Sequence, residues 1–386
     1  MTAPIIIVGG GPVGATLALL LAQQGKSVNV IEARKKNDAY QESRALALSF
    51  GSRRILEKLG IWTALAPLAT AINSIHVSQK GSLGRSWLHA ADLQQEALGY
   101  VLSYGDLSHA LNEAMSQQPL VHGLFEANAE QIVHSAQDAS VSYTHQGQTL
   151  HVTSPLVVLA DGGRSLAEID GLTKEAKEYG HDALISKVEA ELPHGNVAYE
   201  RFTEHGPLAL LPNGPTAFSL VWTGKADYVA QLMMLSDDDF LRQFHLQFGD
   251  RVGQFLKVGK RLRFPLKLAQ LKAKDVAHLV VIGNAAQTMH PVAGQGFNVG
   301  LRDAVSLAAS IQACPPANLG DASMLQIYHG SRQNDSKRGL LFTDFLVNVF
   351  SNDLLGLPAI RSTGLALFDV IKPIKRHLIK KMSFGK

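Results

Sequence analysis

Near the start of the chain stands Ile5-Ile6-Ile7-Val8-Gly9-Gly10-Gly11-Pro12-Val13-Gly14, and the segment it opens runs on to Val28-Asn29-Val30-Ile31-Glu32. Its reading decides the fold. A short run of branched apolar residues closed by glycines has the pattern of a buried strand. An apolar stretch from about Ala15 to Gln24 then reads as a helix, Gly25 ends it, and Val28 to Ile31 reads as a second strand. The spacing Gly9-x-Gly11-x-x-Gly14, with an acid closing the second strand, fits a dinucleotide-binding βαβ unit. Gly9 permits the tight turn, Gly11 lets a pyrophosphate approach, and Gly14 lets the helix pack on the strand. Glu32 is placed to accept hydrogen bonds from an adenosine ribose. The segment Ile5 to Ala22 has no basic n-region and three glycines interrupt it, so it reads as fold and not as an export signal.

A second stretch answers the first from the other end of the chain. Residues 283–303 read Gly-Asn-Ala-Ala-Gln-Thr-Met-His-Pro-Val-Ala-Gly-Gln-Gly-Phe-Asn-Val-Gly-Leu-Arg-Asp. A short strand, Leu279 to Ile282, precedes them, and a helix carrying Leu301, Val305, Leu307 and Ile311 follows. Gly294 and Gly296 let backbone amides approach a ligand closely, and a helix N-terminus adds its dipole, so this is a site for negative charge. Paired with the N-terminal unit, it points to a flavin.

At 386 residues the chain exceeds one simple core, and 46% hydrophobic against 18% charged residues suits a globular protein of more than one unit. The single cysteine, Cys314, excludes an intramolecular disulfide and a cysteine-cluster metal site, in keeping with a reducing cytoplasm. Its 15 histidines are scattered without metal-ligand spacing, so no metal is expected. No apolar run is long enough to span a bilayer. The net charge of +3 hides an asymmetry, because Lys372 to Lys386 carries bases and no acid. Leu367, Ile371, Ile374, Leu378 and Met382 recur there at helical spacing, although Pro373 interrupts them. This is the pattern of a helix on an anionic membrane surface or a partner, or of one packed on its own domain with a basic end. With bases confined to this tail and no binding motif, nucleic acid is not an expected partner.

Along the chain the organisation is discontinuous. A helix is expected from Ser52 to Leu59, strand-like alternation at 74–92 outside any parallel sheet, and a helix near 106–116. Gln131 to His134 and Val141 to Tyr143 read as hairpin segments, with a turn at Gln146-Gly147. Leu156 to Ala160 is a strand that runs into Asp161-Gly162. From about 180 to 270 strands predominate (Ala183 to Leu192, Ala198 to Phe202, Leu208 to Leu211, Phe218 to Trp222, Arg261 to Leu266), with a helix near 236–248. The expected class is α/β: a Rossmann-like FAD-binding domain with an inserted antiparallel β-sheet substrate domain and C-terminal helices. The divisions are 1–72, 98–178 and 275–330 for the first domain, 73–97 and 179–274 for the second, and 331–386 for a helical region with the basic tail.

Gly9 to Gly14 with Glu32, Asp161-Gly162 and the 283–303 stretch together resemble the group A flavoprotein monooxygenases, which share the para-hydroxybenzoate hydroxylase fold. His290-Pro291-Val292-Ala293-Gly294-Gln295-Gly296-x-Asn298-x-Gly300-x-x-Asp303 is similar to the signature of their ubiquinone-biosynthesis branch, and most of all to the 2-polyprenyl-6-methoxyphenol hydroxylases. Ala71 to Ser78 and Glu200 to Ala209, which lie in the expected substrate domain, share the likeness. The resemblance implies that Gly9, Gly11, Pro12, Val13 and Gly14 approach the FAD pyrophosphate, Glu32 holds the ribose and Arg44 lies along the dinucleotide. It places Asp161 and Gly162 beside the diphosphate and the nicotinamide path, and Asn284 on the ribityl chain. The isoalloxazine would rest on Pro291, Gly294, Gln295 and Gly296, with the helix beginning near Phe297 and Asn298 aimed at its N1/O2 edge. Two positions depart from the family pattern: Asn284 replaces the usual acid, and Glu168 stands where many relatives have arginine.

The implied reaction is hydroxylation of a prenylated phenol with NAD(P)H and O₂, by oxygen transfer from a flavin C4a-hydroperoxide. NAD(P)H would visit a groove, since no second nucleotide fingerprint is present. Pro291, His205, Tyr199 and His290 are the residues to test as phenol contacts, the plainer alternative being buried hydrogen-bonding groups. Trp222 and Phe202 would be walls of the pocket or ordinary strand core. Three other readings stay open: a sibling hydroxylase acting at another ring position, a flavin-dependent prenyl reductase, and a non-catalytic flavin-binding subunit of a quinone-synthesis complex. A bilayer-resident substrate would give the basic tail a purpose, at the inner face of the membrane and beside other ubiquinone-biosynthesis proteins.

Overall fold

The structure is a computed structural model, and it describes residues 3–81, 85–166, 169, 171–271, 276–288 and 295–332. Ile5–Val8 is the middle strand of a five-stranded sheet ordered Leu279–Val281, Val157–Leu159, Ile5–Val8, Val28–Glu32, Val121–Phe125. Every pairing in it is parallel. The chain moves from Ile5–Val8 to one side first and to the other side later, so this strand is a switch point, and a crevice opens at its carboxyl end. Both faces are covered, which is why the strands are apolar throughout. Ile5 and Ile7 pack with residues of the helices Pro12–Gln23, Tyr104–Ser116 and Gln295–Ala313. Ile6 and Val8 pack with an antiparallel layer of Ala127–His134, Ala139–His145 and Gln148–Ser154. That layer contains the hairpin expected at Gln146-Gly147, whose two residues take φ of 51° and 77°. Two left-handed residues make the turn that matches strand twist.

The second large sheet is ordered Gln287–Thr288, Leu262–Leu271, Lys174–Ala190, Ala217–Lys225, Gly206–Pro212, Val197–Thr203, Ser74–Gln79, Arg85–His89, with Phe255–Val258 paired to Lys174–Ala190. The helices Ala226–Met234 and Asp237–Phe248 cover one face, burying Phe218, Leu220 and Trp222 against Phe240, Phe244 and Phe248. The 74–92 strands lie outside the parallel sheet, as expected, but the sheet expected to be antiparallel is not wholly so: Ser74–Gln79 runs parallel to Val197–Thr203 while pairing antiparallel with Arg85–His89. The two parallel strands start side by side, where the Asn73 amide donates to the Asn196 carbonyl at 2.8 Å, so they leave the same end together. A further three-stranded sheet, Ala45–Ser49, Gly99–Ser103 and Thr70–Ile72, lies between the two large sheets. Ala45 and Val101 on it pack with Ile75, Ala198 and Leu211 of the large sheet.

Helix starts differ slightly from expectation. The first helix begins at Pro12 and not near Ala15, because proline is already set for the first helical position. The last described long helix begins at Gln295 and ends at Ala313, with Cys314 just beyond. The apolar positions from Leu367 to Met382, the basic tail from Lys372, and Glu168 lie outside the described residues.

Candidate active site

Parallel strands end on one edge, and this edge collects residues that are far apart in sequence. In sheet order Asn284 follows Leu279–Val281, Asp161 follows Val157–Leu159, Gly9 follows Ile5–Val8, and Glu32 closes Val28–Glu32. At about 4.8 Å per strand these four positions span ~14 Å, a cleft the width of an extended dinucleotide segment.

The glycine loop is held by close backbone packing. A Cβ on Gly9, whose φ is +104°, would sit 2.6 Å from the Asp161 amide nitrogen. A Cβ on Gly14 would collide with the Gly9 carbonyl. Gly11 is different: the nearest atom to a Cβ there is the Tyr104 hydroxyl at 3.5 Å, so this residue borders the open cleft. Gly11 caps the helix Pro12–Gln23 without any side-chain hydrogen bond, which leaves its N-terminal dipole facing the same space. The Glu32 carboxylate accepts from the Gly10 amide at 2.6 Å and the Arg34 amide at 2.9 Å. Each oxygen keeps a second lone-pair direction with which to meet a ribose hydroxyl. The Arg44 guanidinium lies 4.8 Å over the Tyr104 ring and bonds Glu42 at 3.0 Å. Tyr104 was not singled out from sequence. Only the fold shows that the residue after Ser103 reaches Gly11.

Asp161 spends its side chain on its own loop. It accepts from the amides of Gly163 and Ser165, both at 2.8 Å, and from the Ser165 hydroxyl at 2.7 Å. Gly162 follows with φ +77°. The 283–303 stretch meets the glycine loop through Val13, whose methyls lie 3.3 Å from a Cβ built on Gly283 and 2.8 Å from one on Gly300. Asn284 is exposed at the sheet edge. Gly296 and Phe297 are partly buried in the first turn of Gln295–Ala313.

Two residues of the stretch turn out to be structural. The side chain of Asn298, expected at the cofactor, is 2% exposed and joins three elements. Its Oδ1 accepts from the Ser49 amide at 2.8 Å and the Ser52 hydroxyl at 2.7 Å, and its Nδ2 donates to the Ala47 carbonyl at 2.9 Å. Only its main chain is left for a ligand. Asp303 receives the Gly283 amide at 3.0 Å and the Arg332 Nε at 2.7 Å, fixing the Gly283 turn from beneath. Burial raises the Asp303 carboxyl above its usual range, against the pull of Arg332 and the Gly283 amide. An acid among Leu301, Ala304 and Leu307, all buried, was the available signal for this role.

The expected phenol contacts need correction. Tyr199 lies on the helix-covered face of the large sheet, with its ring 5.3 Å from Phe248 and 6.1 Å from Phe218. Strand alternation puts its neighbours Ala198 and Glu200 on the other face, and Ala198 packs toward the three-stranded sheet. His205 sits in the turn at the far end of Val197–Thr203, stacked on Tyr228 at 4.0 Å. Trp222 is core on the helix-covered side, whereas Phe202 shares the face of Ala198. His290, Pro291 and Gly294 lie outside the described residues, as does the side chain of Gln295.

Comparison with known proteins bears on this geometry. The family model described as FAD binding domain matches residues 2–341. The chain belongs to this FAD-binding family. Ubiquinone hydroxylase UbiL of Rhodospirillum rubrum is 35% identical over 98% of this chain and 89% of its own length. The 3-demethoxyubiquinol 3-hydroxylase of Escherichia coli is 29% identical over 97% of both chains. In fold, the p-nitrophenol 4-monooxygenase PnpA of Pseudomonas putida DLL-E4 superposes with a TM-score of 0.79 at 15% identity, covering 100% of this chain and 98% of that one. The protein is a family flavoprotein monooxygenase with FAD as cofactor and NAD(P)H as the family's typical co-substrate. The cleft fits FAD: a cradle that any Cβ at Gly9 or Gly14 would fill, an open helix N-terminus, and a carboxylate at the ribose position.

Proposed function

We infer that the protein hydroxylates the aromatic ring of a polyprenylated phenol, of the 2-polyprenyl-6-methoxyphenol class, in ubiquinone biosynthesis. The observation that carries this reading is the 35% identity to UbiL over 98% of the chain, which takes in the large sheet as well as the FAD cleft. FAD, once reduced by NAD(P)H, supplies the oxygen-activating chemistry. The chain's own residues do the rest. Gly9, Gly11, Pro12, Val13 and Gly14 receive the pyrophosphate at the helix N-terminus, Glu32 binds the ribose, and Arg44 lies along the dinucleotide. Asn284 would meet the ribityl chain, the ring system would rest on Pro291 and Gly294 to Gly296, and the helix N-terminus at Phe297 and Asn298 would bring backbone amides and a dipole to it. That dipole stabilises negative charge on the reduced ring without a counter-ion.

The division of labour follows the sheets. Residues 1–72, 98–178 and 275–330 hold the cofactor, and 73–97 with 179–274 receive the substrate. On the face away from the helices, the large sheet presents Ile185, Ala209, Leu211 and Val221, all partly buried, with Leu262 and Phe264 at 38% and 41% exposed. An apolar wall of this kind suits a prenylated ring and excludes water from the reacting atoms. Among the described residues no helix is long and apolar enough to cross a membrane, and the basic tail from Lys372 supplies the contact with an anionic bilayer.

The test is purified protein with NAD(P)H, O₂ and a short-chain 2-prenyl-6-methoxyphenol, followed by mass spectrometry. A product heavier by one oxygen, labelled from ¹⁸O₂, is expected. NAD(P)H oxidation with a saturated prenyl chain and no oxygen uptake would establish a reductase instead.

A further inference from the structure

Glu200 is the unexplained charge of the large sheet. It lies in the middle of Val197–Thr203, directly opposite Val77 on one side and Ala209 on the other. Alternation sets it on the face of Ala198 and Phe202, which are 3% and 4% exposed, and opposite to Tyr199 and Arg201. Arg201 confirms the alternation, since its Nε donates to the Gln247 carbonyl at the end of the covering helix. Ala198 packs with Ala45 and Val101 of the three-stranded sheet, and this closes the gap between the layers. Glu200 lies two residues further along, about 7 Å from that contact, and is partly exposed. The strand Ala45–Ser49 forms the opposite wall. It starts beside Arg44 at the Gly11 cleft and ends where Asn298 ties it to the Gln295–Ala313 helix. Glu200 therefore lies in one row with Ala209, Val221 and Ile185, on the face that presents the apolar wall assigned above to the substrate.

A carboxylate in such a place ordinarily has a partner. Burial is the sole cause of the displacement of its proton affinity, which is pushed from 4.5 up to about 7, and no charge or hydrogen bond contributes. The residues beside it on this face, Val77, Ala209, Ser86 and Val221, do not titrate. A partly buried carboxyl without a hydrogen-bond or ion-pair partner among the described residues is one that a ligand can pair.

We propose that Glu200 is the acceptor that orients the phenolic hydroxyl of the substrate and takes its proton. The inference rests on the reading of the substrate as a phenol. In the step, the phenol O–H bond breaks and its electron pair stays on the ring oxygen. The proton forms a new O–H bond on the Glu200 carboxylate, and the negative charge passes to the ring oxygen. The phenolate raises electron density at the ring carbons that receive oxygen. The apolar wall is what makes the carboxylate basic enough. Against a phenol near pH 10, a carboxylate of ordinary affinity falls short by about 5.5 units, and burial narrows this to about 3. Glu200 is thus a catalytic residue that touches substrate.

The experiment compares wild type, E200Q and E200D, each loaded with FAD, on a short-chain 2-prenyl-6-methoxyphenol and on its O-methyl ether. Expected are a loss in kcat of about 100-fold or more in E200Q, partial activity in E200D, and unchanged FAD content. Wild-type kcat should fall below about pH 7, and E200Q should lack that limb. Wild type should bind the phenol at least about tenfold more tightly than the ether, and E200Q should bind the two alike. A wild type that hydroxylates while E200Q matches it in rate, pH profile and ether discrimination overturns the inference and leaves the substrate reading standing. A wild type that gives no hydroxylated product overturns both.

Discussion

At Gly14 the packing leaves no room for any side chain, because a single methyl would meet the Gly9 carbonyl. Gly14→Ala is therefore expected to push the helix Pro12–Gln23 off its strand, at a cost of about 1–3 kcal/mol, and to lower flavin retained per polypeptide at least about tenfold. Absorbance of the purified protein reads this directly, and an undiminished flavin content would contradict the role given to the loop. Asn298 and the Asp303–Arg332 pair make a contrasting case. Asn298→Ala strands the Ser49 amide, the Ala47 carbonyl and the Ser52 hydroxyl, and should cost about 3 kcal/mol in a denaturant titration. Arg332→Met leaves the buried Asp303 carboxylate without its ion pair, held by the Gly283 amide, and should cost about 3–5 kcal/mol. Asp303→Asn should be milder at neutral pH, because burial opposes the Asp303 charge more strongly than Arg332 supports it. If Asp303→Asn proved the more damaging of the two, that ordering would be wrong. From sequence both Asn298 and Asp303 were visible as members of the 283–303 motif. Their tasks were not, since a polar side chain beside glycines serves a ligand or the fold equally well, and only Ala47, Ser49 and Arg332 decide which.

At the scale of elements, the parallel pair Ser74–Gln79 and Val197–Thr203 carries four displaced titrations, and the two that fall between acid and neutral pH, His76 and Glu200, lie on opposite faces. Burial first, then Arg251, Arg85 and Arg201, holds His76 down from 6.5 to about 4. The folded state thus binds fewer protons than the unfolded chain, and stability from this group is lost as pH falls from 6.5 through 4. Glu200 has the reverse sign. With its folded value raised to about 7, its contribution is complete below 4.5 and is lost as pH rises through 7. The opposed slopes, each at most ~1.4 kcal/mol per pH unit, should nearly cancel between about pH 4.5 and 6.5. Urea midpoints across that window should be flat in wild type, rise with pH in E200Q and fall with pH in His76→Phe. Equal slopes in all three proteins would refute the balance. The strands themselves were readable from Ile75, Val77, Ala198 and Phe202, but their mutual direction was not. Period-2 alternation states that a strand has two faces and is silent on its neighbour and on which face meets the cleft. For the same reason Tyr199, which lies on the helix-covered face, was expected at the substrate.

For the molecule as a whole, the βαβ unit and the return strand at Leu279 were legible, because glycine spacing and acid placement are local constraints. The three-stranded sheet between the layers was not, since Thr70–Ile72 and Gly99–Ser103 are short and owe their pairing to each other. Association with membranes belongs to this scale too. Removing Lys372 to Lys386 should shift the protein from anionic vesicles to the soluble fraction while FAD content stays unchanged, with the bound fraction in wild type falling at high salt. Partitioning that ignores the truncation would assign the tail to the protein's own fold.

The order of strands along the parallel sheet has a consequence for how the protein comes to exist in a cell. Ile5–Val8 is synthesised well before its neighbour Val157–Leu159 and the outer strand Leu279–Val281. Gly9 rests on Asp161, and Val13 rests on Gly283 and Gly300, so the pyrophosphate cradle cannot take shape on a partly made chain. At about 5–20 residues per second, the nascent glycine loop waits on the order of tens of seconds for the segment that completes it. During that time its apolar strand has no lasting partner on one side. Flavin capture is thus a late event of biogenesis, and the supply of FAD at that moment, together with chaperones that shield Ile5–Val8 until then, sets how much of the synthesised chain becomes holoprotein.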